Sequence, residues 1–379
     1  MIYLDNAATS FPKAPGVVEA VARCLAEVGG NPGRGSHRLA REASRLVFRT
    51  REACARLFGL SDPTRLVFTK SATEALNLVI LGRVPAGGRV VVSSLEHNAV
   101  MRPLRHLEAT RGVTVRVVPF DADGRPAPGA LDAALADRPE LMVLTAASNV
   151  TGALPPVAEI AARCRDRGVP LCLDAGQAAG HLLLEPQRLG IPFLCFSGHK
   201  GLLGPAGVGG LVLAEGCVLE PLVRGGTGSF SEQETQPEVL PDRFEAGTPN
   251  LPGLAGLGAA LEWLAAAGVA VVARREADLT DRLLRGLRAL HGVAVLGPGP
   301  GRPRAPLVAI TVAGRDLGEL ALELDRRDVA TRLGLHCAPA AHRSAGTLAG
   351  GGALRLAPGY WTTEAEIEQT LAILEELLS

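Results

Sequence analysis

The tetrapeptide Ser197-Gly-His-Lys200 closes an apolar run, Phe193-Leu-Cys-Phe-Ser197, and opens a glycine-rich turn from Gly201 to Gly210. A lysine at the end of a strand can form a Schiff base with a carbonyl if burial or neighbouring positive charge lowers its pKa. The plain alternative is a solvated lysine beside a turn. Asp174 ends another run, Pro170-Leu-Cys-Leu-Asp174, and leads into Asp174-Ala-Gly-Gln177. A carboxylate there can pair with a protonated pyridine nitrogen and make the ring an electron sink, or it can cap the next helix. Ser71-Ala-Thr-Glu74 follows the run Leu66-Val-Phe-Thr69 with the spacing of a capping box. A helix start after a strand also offers free N–H groups and a positive dipole end to phosphate, with Thr73 adding a hydroxyl.

His97, in Ser93-Ser-Leu-Glu-His-Asn98, stands after the run Arg89–Ser93. An imidazole there can stack on a planar ring and move protons near neutral pH, or serve as a hydrogen-bonded structural histidine. Asn149, in Ser148-Asn-Val-Thr-Gly152, can bond a phenolic oxygen or cap a loop. Nearer the C-terminus, Arg332-Leu-Gly-Leu-His-Cys-Ala-Pro339 carries Cys337, and Ala353-Leu-Arg355 carries an arginine whose fork suits a carboxylate. A free thiol of pKa ~8.5 is only a few per cent thiolate at neutral pH, so Cys337 needs activation. His336 and His342 are the candidate imidazolium neighbours. They lack a fourth ligand at suitable spacing for a zinc site with Cys337, so no metal is expected.

These groups must be positioned by strands. Short apolar runs recur at Leu66–Thr69, Arg89–Ser93, Thr114–Val118, Leu141–Thr145, Pro170–Asp174, Phe193–Ser197 and Gly207–Leu213, separated by helix-length segments such as Val157–Arg167. That alternation predicts an α/β fold, a mostly parallel seven-stranded sheet between helices, with the chemistry at the strands' carboxyl ends. The stretch Gly216–Pro252 reads as a long functional loop. We expect a large cofactor-binding domain over 16–250 and a smaller α+β domain over 251–379, joined by 1–15, that carries Cys337 and Arg355.

The chain has 379 residues, 39 basic and 39 acidic side chains and no long block of either sign. Neither nucleic acid nor an anionic membrane surface is an expected partner. Seven cysteines without a CxxC pair predict mostly reduced core thiols. The start, Met1-Ile-Tyr-Leu-Asp5, has no secretory pattern, and a cytoplasmic location is expected. The apolar stretch Leu254–Ala273 reads as a buried helix rather than a membrane span.

In chain order, Tyr3-Leu-Asp-Asn-Ala-Ala-Thr9, Asn31-Pro32 through His37, Ser71-Ala-Thr-Glu-Ala-Leu-Asn77, Glu96-His97, Asp174-Ala-Gly-Gln177 and Ser197-Gly-His-Lys200 resemble the cysteine desulfurase and selenocysteine lyase group of the class V aminotransferases. The resemblance implies a fold type I enzyme using pyridoxal 5′-phosphate (PLP). It implies that Lys200 holds the cofactor as a Schiff base, that Asp174 meets the pyridine nitrogen, that Gln177 bonds the ring hydroxyl and that His97 stacks on the ring. Phosphate contacts would come from the Ala72 backbone, Thr73, Ser197 and His199, with Thr248 reaching in from a second subunit of a homodimer. Arg355, with Asn149, would hold the substrate carboxylate, and Cys337 would accept sulfur from L-cysteine, leaving L-alanine. A selenocysteine lyase, another transaminase, β-lyase or racemase of the family, and a non-catalytic sulfur-carrier scaffold are the alternatives. A sulfur-acceptor protein, as in iron–sulfur cluster assembly, is an implied partner. The glycines between Gly346 and Gly352 would let the cysteine loop move.

Overall fold

Each of the seven apolar runs forms a strand, and the seven lie in one sheet. The computed structural model describes residues 1–33 and 35–379; Arg34, inside the Asn31–His37 segment, lies outside the described residues. After a short β1 (Ile2–Tyr3) come β2 (Leu66–Thr69), β3 (Arg89–Ser93), β4 (Thr114–Val118), β5 (Leu141–Thr145), β6 (Leu171–Asp174), β7 (Phe193–Ser197) and β8 (Gly209–Leu213). Their order across the sheet is β2-β8-β7-β6-β5-β3-β4. All neighbours are parallel except around β8, which runs antiparallel to both β7 and β2.

The strands β5, β6 and β7 are buried along their whole length because both faces are covered. Side chains alternate between two cores. Val91, Met142, Leu173 and Leu194 face one, with the helix Leu251–Ala267. Val90, Val143, Cys172 and Cys195 face the other, with the helices Ala72–Arg83 and Asn98–Arg111. Parallel pairing sets Thr145 beside Asp174 and Asp174 beside Cys195, two residues before Ser197. The polar residues that follow each run therefore emerge together along one edge.

Further strands are β9 (Val293–Val295), β10 (Val308–Val312), β11 (Val329–Ala330), β12 (Arg332–Gly334) and β13 (Ala353–Leu356). An antiparallel sheet of order β12-β13-β10-β9 packs against the helices Val269–Ala289, Leu317–Arg326 and Glu364–Leu378, while β1 pairs with β11. Thr363 and Glu366 form a complete capping box at the last helix. The helix Leu251–Ala267 packs against Arg38–Leu57 and Val17–Arg23. It thus lies with the large sheet, beyond the boundary near 250 expected from sequence. It turns by 83° into Val269–Ala289, and among the described residues no single helix is long and apolar enough to cross a membrane.

The connection between β8 and Leu251 is a loop with one short 3-10 turn, Asp242–Phe244. It is anchored by a two-point ion pair, Arg51 Nη1 to Glu245 Oε1 at 2.7 Å and Nη2 to Oε2 at 2.8 Å. The backbone N–H of Phe68 also donates to Glu245, so the loop is tied to β2.

Candidate active site

Lys200 and Asp174 meet at the carboxyl edge of the large sheet, as their strands require. Lys200 keeps a sliver of solvent contact yet is enclosed by protein atoms, and this desolvation lowers its amine to about 8. Asp174 opposes that shift, while Arg355 and Arg332 reinforce it. Asp174 is buried, its Oδ1 accepts from Gly176 N at 2.8 Å, and no hydrogen bond among the described residues uses Oδ2. Gln177 donates to the Ala7 carbonyl at 2.8 Å, fastening the N-terminal segment over the site.

His97 caps the helix Asn98–Arg111, its Nδ1 accepting from Ala99 N at 3.0 Å. Burial lowers its pKa, partly offset by Asp174. The ring is therefore neutral near pH 7, and because Nδ1 accepts, its proton lies on Nε2. One residue earlier, the side chain of Glu96 is fully buried. Its Oε1 accepts from Ser93 Oγ and from Thr145 N, and its Oε2 has no partner among the described residues. Burial, with Asp174 nearby, pushes this carboxyl up to about 8, so it carries a proton at neutral pH.

The helix Ala72–Arg83 begins at the N-cap Ser71, whose hydroxyl accepts from Glu74 N at 3.3 Å. Ser197 Oγ accepts from Ala72 N at 3.3 Å, which brings the end of β7 against that helix start. His199 follows, its buried Nδ1 without a partner among the described residues and its pKa lowered by burial to about 4. Its carbonyl accepts from Ser10 N at 3.0 Å and from Lys13 Nζ at 3.1 Å. Thr73 is exposed at the same helix start. Thr248 is elsewhere: it is exposed and lines a pocket of about 310 Å³ with Phe68, Lys70, Glu74 and Phe244.

Cys337 lies between β12 and the helix Pro339–Ser344 and is exposed. Burial pushes the Cys54 and Cys164 thiols up to about 12. His336–Cys337 adopts left-handed backbone, with φ of 47° and 55°. Three hydrogen bonds hold it: Asn98 N to the Cys337 carbonyl at 2.7 Å, Asn149 Nδ2 to the His336 carbonyl at 2.6 Å, and Ala338 N to the Leu335 carbonyl at 2.8 Å. One N–H of the Asn149 side-chain amide, expected at a phenolic oxygen or the substrate, thus holds the cysteine loop, and its second N–H and its Oδ1 remain available. In this structure the loop is tethered at its Cys337 end. His336 is buried and pushed down to about 3 by desolvation and by Arg355, and burial also lowers His342. Both rings are neutral near pH 7, so neither supplies the imidazolium expected to activate Cys337.

Arg355, on β13, is buried rather than exposed. Nη1 donates to the Asn149 carbonyl at 2.9 Å and Nη2 to Asp5 Oδ1 at 3.2 Å, leaving buried Nε without a partner among the described residues. An unpartnered buried donor is costly unless a ligand meets it. Asp5 and Arg332, to which sequence reasoning gave no role, complete this corner, with Arg332 Nη2 at 3.0 Å from Asp5 Oδ2. Only the pairing of β12 with β13 and of the N-terminal segment with residue 357 brings them there.

A lowered amine facing a buried carboxylate, beside a helix start and an unpartnered histidine nitrogen, has the donor set for a phosphorylated pyridine aldehyde. Fold and site thus define the class of α/β enzymes that use PLP. The family model for class-V aminotransferases matches residues 2–370, and the chain belongs to that family. A probable cysteine desulfurase of Methanothermobacter thermautotrophicus is 33% identical over 382 residues, 99% of this chain and 94% of that protein. The apo structure of a cysteine desulfurase from Thermococcus onnurineus NA1 superposes with a TM-score of 0.93 at 31% identity, covering 100% of this chain and 94% of that one. A structure of C-DES with glycine linked covalently to its PLP cofactor has a TM-score of 0.84 at 26% identity, covering 99% of this chain and 96% of that one.

Proposed function

We propose that this chain is a PLP-dependent cysteine desulfurase that converts L-cysteine to L-alanine and retains the sulfur as a persulfide on Cys337. The observation that carries the reading is an exposed thiol tethered, through Asn98 N and Asn149 Nδ2, to the elements that bear His97 and the Arg355 contact. Lys200, Asp174, Gln177, His97, the Ala72–Thr73 helix start, Ser197 and His199 would hold the cofactor. Bound PLP supplies an electron sink that acidifies the Cα–H of an amino acid. Arg355 offers its unpartnered Nε to the substrate carboxylate and so fixes the amino acid's orientation.

Lys200, lowered to about 8, is partly unprotonated near neutral pH and takes the Cα proton at Nζ. His97 holds an exchangeable proton at Nε2. Cys337 Sγ attacks the substrate sulfur. An S–S bond forms as the C–S bond breaks, the carbon takes up a proton, and the thiol gives way to a persulfide with no outside oxidant. The exposure of Cys337 suits delivery to a sulfur-acceptor protein, of which iron–sulfur cluster assembly is one outlet. Free, reduced cysteines throughout the described residues suit a cytoplasmic setting. The exposed Thr248 pocket supports a homodimer in which Thr248 serves the neighbouring site.

The test is to incubate the holoenzyme with L-cysteine, measure alanine, and locate added sulfur by mass spectrometry. We expect alanine and a 32 Da increment, the mass of one sulfur, on the Cys337 peptide, both lost in Cys337→Ala. Pyruvate in place of alanine, or full alanine formation by Cys337→Ala, would overturn the reading. Competition with selenocysteine separates the lyase alternative.

A further inference from the structure

Arg332 and Arg355 sit directly opposite one another across the β12–β13 pair. Like charges in that relation repel, and the carboxylate of Asp5 stands between them. Arg332 Nε lies 3.1 Å from each Asp5 oxygen and Nη2 lies 3.0 Å from Oδ2, whereas Arg355 makes a single 3.2 Å contact. Asp5 is thus committed mainly to Arg332, leaving Arg355 its free Nε.

The carboxylate is held in place by its backbone. Ala357 N donates to the Leu4 carbonyl at 2.6 Å and Asn6 N to the Ala357 carbonyl at 3.2 Å, so Asp5 is bracketed against the residues just after Arg355. Lys200, Arg332 and Arg355 all stand within electrostatic reach of Cys337, the group that must meet the substrate's side chain. Arg332 is about half exposed, at 49% of its side-chain surface, and without Asp5 it would offer a second cation at that end of the site.

We propose that Asp5 determines specificity: by occupying Arg332 it makes the site accept an amino acid with one anionic group and disfavour one whose side chain carries a second. Such discrimination works by withholding a partner rather than by adding a contact. The inference rests on the reading of Arg355 as the holder of the substrate α-carboxylate.

The test uses holoenzyme and two ligands that differ in side-chain charge, L-alanine and L-aspartate, titrated by the change in cofactor absorbance. In Asp5→Asn the affinity for L-aspartate relative to L-alanine should rise severalfold, up to about fivefold, the worth of one partly exposed ion pair. Adding Arg332→Gln should return the ratio to that of the unaltered enzyme. An unchanged ratio in Asp5→Asn, or a shift that survives Arg332→Gln, overturns the proposal. Should Asp5→Asn fail to fold, Arg332→Gln alone decides. It leaves the Asp5 carboxylate without its main partner, so the affinity for L-aspartate relative to L-alanine should fall by up to about fivefold, whereas an unchanged or raised ratio would show that this pair does not set the response to side-chain charge. These titrations need no turnover, so failure of the desulfurase reading appears separately, as no alanine from L-cysteine.

Discussion

Replacing Asn149 by Ala isolates the tether on the cysteine loop, because Arg355 uses the backbone carbonyl of residue 149 and keeps it. His336 and Cys337 both stand in left-handed backbone, at a cost of roughly 1–2 kcal/mol each. The substitution removes the 2.6 Å bond from Nδ2 and leaves the His336 carbonyl without its donor. A buried acceptor so stranded costs about 2 kcal/mol, and the chain escapes that cost by leaving the left-handed conformation. If the penalty falls on the productive loop, the equilibrium between seated and displaced Cys337 shifts roughly thirtyfold toward displacement, which bounds the loss of seated enzyme. The assay is alanine formation from L-cysteine with the rate of Cys337 alkylation measured in parallel. We expect kcat to fall by up to about thirtyfold, KM to stay within about twofold, and the cofactor absorbance to hold its position. An unchanged kcat with a displaced absorbance band would place Asn149 on the cofactor ring and refute the tether.

Lys200→Ala should lose at least about a thousandfold in alanine formation, the reach of a positioned base; borohydride treatment should then add no cofactor mass to the protein. Arg355→Lys should raise KM for L-cysteine about a hundredfold with a smaller change in kcat, since an ammonium cannot reproduce the guanidinium fork. Glu96 is raised from 4.5 to about 8, so the folded state binds the extra proton between those values and this group's contribution to stability declines as pH rises through that window. Glu96→Gln should therefore melt with a flatter pH dependence from pH ~5 to ~8 than the unaltered protein; an identical slope would show that Glu96 is ionised in the fold.

The large sheet was legible because strands buried on both faces read as unbroken apolar runs, and the residues that end those runs, Asp174 and Ser197 foremost, fall where a parallel sheet gathers its ends. Lys200 and His97 follow from the same logic. The second lobe was read less well. Leu251–Ala267 is apolar enough to belong to either core, and only tertiary packing assigns it to the large sheet. The duty of Asn149 was invisible because its partner is a carbonyl nearly two hundred residues away. Left-handed backbone has no signal in residue type at Cys337 and only a weak one at His336, histidine being mildly enriched there. Glu96 runs against the rule that carboxylates stay in water, and nothing local marks it as a neutral acid. Arg332 and Asp5 needed the pairing of β12 with β13.

Of the seven thiols, five are shut inside the packed layers, Cys217 is half covered, and Cys337 alone faces outward. A sulfur atom loaded at that position finds no accessible thiol beside it on the same polypeptide. On the proposed reading such a sulfur would be cleared by an external carrier or reductant rather than passed to another thiol of the chain. Throughput would then be governed by whatever docks at this rim, and the interior thiols are spared from the polysulfide chemistry they would otherwise invite.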